Sequence, residues 1–98
     1  MNHLLLQFAL RGVYAQYPWL PNHACGSCPS VEAEELALAL DWFAQEGPPI
    51  NLRRSAYALK RDVEDASGQH VGERAFAAAA VIAGYDLRLT KGNTIYLV

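Results

Sequence analysis

The 98-residue chain carries little charge. Asp, Glu, Lys and Arg make up 18% of it, and 8 basic against 10 acidic residues leave a formal net charge of −2. Proteins that hold nucleic acid through its phosphates regardless of sequence need a basic excess, so that class is excluded, while sequence-specific DNA binding through one local patch is not. Long apolar runs are also missing: the longest, Ala75 to Gly84, is about ten residues, half of the roughly 20 that cross a bilayer. The amino-terminal run is broken by Gln7, has no Lys or Arg before it and no clean small-residue cleavage site after it, so it reads as part of the fold. Only two cysteines occur, Cys25 and Cys28. Spaced three apart, they cannot build a long-range disulfide framework, and a reducing compartment, the cytoplasm, is the expectation. Enzyme signatures are absent: there is no P-loop, no G-x-G-x-x-G, no G-x-S-x-G and no H-E-x-x-H. His3, His23 and His70 fall in separate segments, and no spacing sets them beside a serine or an acid. The expectation is a protein that is not an enzyme.

What is present is enough for one domain spanning residues 1–98, since 52% of the chain is hydrophobic. Leu6, Leu10, Val13, Tyr14 and Tyr17 recur with a helical period, predicting a helix over 2–16 that Pro18 closes. Residues 18–29 hold three prolines, Gly26 and several turn formers without a hydrophobic period, and read as an irregular connector. Ser30 as N-cap, with Glu32, Glu34 and Glu35 near the positive end of the dipole, predicts a helix over 31–46, stopped by Gly47, Pro48 and Pro49. Its second half, LALALDWFA, is apolar almost all round, so one face should meet the core and the other a second chain or another internal element.

Asn51 can cap a helix over 52–67 with Leu52, Ala56, Leu59 and Val63 as its stripe, ended by Gly68. A further helix over 72–83, rich in alanine and almost free of polar residues, should be central. After Gly84 the period changes to 2, predicting a β-hairpin of 86–90 and 94–98. A three-residue loop Lys91-Gly92-Asn93 places Leu87, Leu89, Ile95 and Leu97 on one face, whereas a two-residue loop mixes polar with apolar on both, so the former is expected, with Asn93 left-handed. The fold class is therefore α+β and mostly helical: four helices, then a carboxy-terminal hairpin. A homodimer is open to it, through the apolar helix 31–46 or the hairpin edge.

Three constellations could carry chemistry. His23, Cys25 and Cys28 offer three ligands for zinc, whose tetrahedron would need a fourth from His3, His70 or an acid. The same C-x-x-C before a helix could be a redox pair, although the strand that normally precedes such a pair is replaced by a proline-broken segment. An inert loop is the favoured reading, ahead of the metal site and then the redox pair. Second, Arg53, Arg54, Tyr57, Lys60 and Arg61 would share one broad face of the helix 52–67 and could bind phosphates or an acidic protein surface, or simply pair with nearby acids. Third, helix, turn, helix and hairpin is the order of a winged helix-turn-helix, which would read bases with its second helix. Here only Gln69, His70, Glu73 and Arg74 could do so.

The carboxy-terminal half carries Ser55-x-Tyr57-x-Leu59-Lys60, Glu64, Gly68, Val71, Phe76, Ala79-Ala80, Ala83-Gly84-Tyr85 and Asn93. This pattern resembles short proteins encoded on bacterial phages, plasmids and integron cassettes. The resemblance covers about half the chain and rests on caps, core and turns. It implies an accessory factor of a mobile element that works by binding a host or element protein, and it assigns no residue a role. The expected function is thus noncatalytic protein binding, inhibitory or regulatory, through the basic face of Arg53, Arg54, Tyr57, Lys60 and Arg61, with no cofactor and no membrane. The alternatives are a winged-helix DNA-binding regulator and a zinc or thiol protein.

Overall fold

A computed structural model of the chain describes residues 3–23, 29–46 and 50–98. The elements run α1 (His3–Gln16), α2 (Leu20–His23), α3 (Pro29–Glu46), α4 (Ala56–Ser67), α5 (Glu73–Ile82), β1 (Leu87–Leu89) and β2 (Ile95–Leu97). This is the expected mostly helical α+β fold, with one addition. Within the expected connector, Leu20 to His23 form a short helical turn, because Leu20 is drawn completely into the core and Pro21 is tolerated in a first turn.

Two boundaries differ from the sequence expectation by more than one residue, each for a local reason. α3 begins at Pro29, so Ser30 lies inside the helix rather than before it; proline suits the first helical position, where its missing N–H is no loss. α4 begins at Ala56, and Ser55, not Asn51, caps it: the Ser55 hydroxyl accepts from the Ala58 N–H at 3.2 Å. Asn51 instead accepts the Arg53 N–H at 3.0 Å, closing a separate turn that leaves Leu52, Arg53 and Arg54 outside the helix and Leu52 exposed. α4 ends where Gly68 adopts φ 71 and returns its N–H to Glu64, as glycine at that position allows.

α5 is the centre of the molecule. Ala75, Phe76, Ala77, Ala78, Ala79 and Ala80 are all completely buried, which one helix achieves only if neighbours cover every side. α1, α3, α4 and β2 supply that cover. α3 is the next most enclosed, packing against α1, α4 and α5, and this explains why its second half is apolar nearly all round. Ala33 and Ala39 of α3 are fully buried alongside the alanines of α5, side chains small enough for close helix approach. Above them the rings of Phe43 and Phe76 stack at 5.2 Å, with Trp42 edge-on to Phe43 and Tyr85 tilted against it.

The hairpin has the register read from the sequence: Leu87 faces Leu97, Arg88 faces Tyr96 and Leu89 faces Ile95. Lys91, Gly92 and Asn93 form the loop, and Asn93 has φ 62. Leu87, Ile95 and Leu97 enter the core while the other face carries Arg88 over the Tyr96 ring. The hairpin is tied back to the segment just after α1 by Tyr17, whose hydroxyl accepts the Leu87 N–H and donates to Asp86. Asparagine adopts the left-handed region at lower cost than other residues with a β-carbon. Replacing Asn93 with alanine should cost about 1 kcal/mol and lower Tm, while Asn93→Gly should leave it unchanged or raised; thermal unfolding followed by circular dichroism distinguishes the two.

Candidate functional site

Two ion-paired networks sit between the helices, and each answers a burial problem created by α5. The first lies at its amino end. Arg74 follows directly on Glu73, beneath α1 and α3, and its guanidinium grips Glu32 of α3 with two parallel bonds, Nε to Oε1 at 2.9 Å and Nη2 to Oε2 at 2.7 Å. Glu32 is only 4% exposed, so this bidentate pair is what permits the carboxylate to be there at all. Tyr14 of α1 donates its hydroxyl to the same carboxylate, and its ring lies against the guanidinium carbon at 5.8 Å. Arg74 also donates to the Pro21 carbonyl of α2 at 3.4 Å. Burial, and then the neighbouring Glu32, push the Tyr14 phenol well above its usual range, and hydrogen bonding to Glu32 raises Arg74 further. Neither group is set up to exchange protons near neutrality. One knot thus joins α1, α2, α3 and α5, and breaking the buried pair from one side would cost about 3–5 kcal/mol.

A recess of about 250 Å³ opens beside this knot, lined by Gln7, Leu10, Arg11, Tyr14, Glu32 and Arg74. The polar atoms at its floor are engaged with one another. A second recess, of about 170 Å³, lies between α3 and α4 and is lined chiefly by Leu38, Trp42, Gln45, Val63 and Ser67.

The second network faces the turn from α4 to α5. Lys60, 7% exposed, places its ammonium 3.2 Å from both oxygens of Glu64. Glu64 also accepts the Val71 N–H at 3.0 Å, and His70 lies 3.0 Å from Glu64 and 3.8 Å from the buried Glu35 of α3. Burial opposes ionisation of Glu64, but the Val71 amide, the Lys60 ammonium and His70 together outweigh it and hold the carboxyl below the usual glutamate range. Glu73, half-buried nearby, is pushed the other way by desolvation, which Lys60 offsets only in part.

These networks decide where the sequence-derived site residues stand. Lys60 is turned inward, and Arg54 is bound to Asp62 at 2.6 Å and to the Ala58 carbonyl at 3.1 Å. The shared basic face of one helix is not formed, because α4 starts after Arg53 and Arg54. Of the five only Lys60 is buried; Arg53, Arg54, Tyr57 and Arg61 are exposed, Arg54 being engaged with Asp62, and Lys60 and Arg61 are both within cation–π distance of the tyrosine ring. Of the DNA-reading set, Arg74 is held by Glu32, and the six residues of α5 from Ala75 to Ala80 offer no exposed face to a groove. Cys25 and Cys28, and the side chain of His23, lie outside the described residues, as does the side chain of His3. Among the described residues no cluster of three or more His, Cys, Asp or Glu side chains is placed to hold a metal ion, and no helix is long and apolar enough to cross a membrane.

Sequence reasoning missed the outer face of α1. The helix buries Leu6, Leu10 and Val13, and on the opposite side it exposes Leu4 at 73%, Leu5 at 63% and Phe8 at 76%. The signal was present: three large apolar residues fall off the buried stripe. Gly12 and Ala15 continue this face toward the end of the helix, and Arg11 stands at its edge.

No family model, curated protein or solved structure matches the chain.

With a carboxyl pKa lowered in the folded state, Glu64 contributes stability that is present above its unfolded pKa and lost as pH falls through the folded one. Glu64→Gln should therefore unfold at lower urea than the parent at pH 7, by about 2 kcal/mol, with a narrower gap at about pH 3. A gap that is unchanged between the two pH values would mean that the carboxylate charge is not what Lys60, His70 and the Val71 amide recognise.

Proposed function

We propose that this is a noncatalytic binding protein that docks other protein surface through the outer face of α1. The observation that carries this reading is the exposure of Leu4, Leu5 and Phe8 on one side of a helix whose opposite side already serves the core. Single exposed apolar residues are ordinary, but three adjoining ones on one helical face, with no acid among them, form the kind of patch that marks an interaction site. Aromatic and leucine side chains presented at i, i+1 and i+4 match the spacing used when a helix is laid into or against an apolar partner. The internal ion pairs support the same reading, since the conspicuous charges of the chain, Glu32, Arg74, Lys60 and Glu64, are engaged in holding helices together. Tyr57, Arg53 and Arg61 form a smaller, secondary patch on and beside α4. For a chain whose carboxy-terminal half resembles proteins of mobile elements, capture of a host or element protein is the role such a face would serve.

Immobilised protein exposed to bacterial lysate tests this directly. Phe8→Glu should lower the recovery of captured protein at least tenfold, while Arg53→Glu combined with Arg61→Glu should retain most of it. Equal capture by the Phe8→Glu variant would remove α1 from the function; loss with the arginine variant alone would move the function to α4.

A further inference from the structure

We propose that the recess beside the Arg74–Glu32 knot binds a small monocarboxylate with an apolar body, the carboxylate pairing with Arg11 and the body lying against Leu10 and the Tyr14 ring. One helix builds most of the site. Gln7, Arg11 and Tyr14 fall at i, i+4 and i+7 on α1, a stripe between the buried Leu6, Leu10 and Val13 and the outer Leu4, Leu5 and Phe8. Glu32 of α3 and Arg74 of α5 complete the lining. The site is therefore separate from the outer face of α1 and stands whether or not that face docks protein.

Charge selects the ligand. Glu32 and Arg74 cancel one another in their bidentate pair, and both Glu32 oxygens already accept, Oε1 from Arg74 Nε and the Tyr14 hydroxyl and Oε2 from Arg74 Nη2. The floor thus has little to offer a cation. The Tyr14 phenol, held well above its usual range by burial and by Glu32, adds no charge near neutrality. What is left is Arg11. It is exposed, and among the described residues no acid stands within ion-pair distance of it. The Gln7 amide, one turn earlier, makes no hydrogen bond among the described residues and can donate to the same ligand.

One uncompensated positive charge matches a monoanion. A dianion such as inorganic phosphate would bring its second charge toward the Glu32 carboxylate, whose own cation is already committed. A planar carboxylate also fits the fork of a guanidinium. Volume then sets the size. An apolar cavity of about 150 Å³ takes up benzene. The recess encloses about 250 Å³, room for one such ring and a short acidic arm, and it falls below the roughly 300–1,000 Å³ of sites for larger ligands. The recess between α3 and α4 is lined by Asp41 and by no cation, so it serves as an internal comparison.

Titration of the full chain with phenylacetate, followed by two-dimensional amide NMR, tests the proposal. Saturable shifts should appear at the backbone amides of Gln7, Arg11, Glu32 and Arg74 and not at Trp42 or Gln45, with Kd on the order of 1 mM, as for a ligand of this size. Phenylacetamide, the neutral isostere, and inorganic phosphate should both bind several-fold more weakly. Arg11→Gln, at an exposed position, should weaken phenylacetate about tenfold and leave phenylacetamide unchanged. Arg88→Gln removes an exposed arginine from the hairpin and should bind phenylacetate as the parent does. Shifts that do not saturate by about 20 mM, phenylacetamide or phosphate binding as tightly as phenylacetate, an undiminished Arg11→Gln, or an equal loss in Arg88→Gln would each overturn the inference.

Discussion

The structure depends on one constraint: a ten-residue helix, α5, that offers no face to solvent over six consecutive residues. A helix built of Phe76 and five alanines cannot be half-exposed without wasting its apolar surface, so four other elements must be brought against it. α3 closes the longest side, and its Phe43 meets Phe76 at the heart of the core. α1 and α4 take the flanks, and the hairpin contributes Ile95 and Leu97 of β2. The same demand encloses most deeply the helix that a winged-helix reading of the element order would place in a groove.

Enclosing α5 also forces charge inside. Its first turn carries Glu73 and Arg74, and Arg74 is solved by Glu32 with Tyr14 and the Pro21 carbonyl completing the set. Lys60, buried beside the turn that leads into α5, is solved by Glu64, which in turn fixes the Val71 amide and so the path of the turn. Such pairs cost desolvation and return it only through good geometry, so their net gift to stability is modest. Their effect is to specify which helix lies where. Lys60, which looked like part of a contact surface in the sequence, is in the fold part of the network that sets the turn between α4 and α5.

What could be read from the sequence was whatever depends on neighbours in the chain. The hairpin register followed from a change of period and the chemistry of Lys91-Gly92-Asn93, and the ends of α1 and α4 followed from Pro18 and Gly68. The start of α4 did not, because Asn51 and Ser55 are both good caps and the choice between them is made by which turn packs better. That shift of a few residues moved Arg53 and Arg54 off the helix and dissolved the basic face. The bond from Arg74 to Glu32 spans 42 residues and leaves no local trace. The outer face of α1 was legible in principle, but the eye follows the stripe that fits a core, and Leu4, Leu5 and Phe8 fit no core.

The central claim is that the exposed Leu5 and Phe8 side chains add little to the stability of the fold that carries them, as the proposed binding face requires. The unfolding free energy of a Leu5→Gln, Phe8→Gln variant tests it most directly, measured in urea at a protein concentration low enough that every chain is monomeric. The variant should match the parent to within about 0.5 kcal/mol, as surface substitutions do. A loss of about 2 kcal/mol or more, the scale of a buried large side chain, would show that the face belongs to the core and contradict the account.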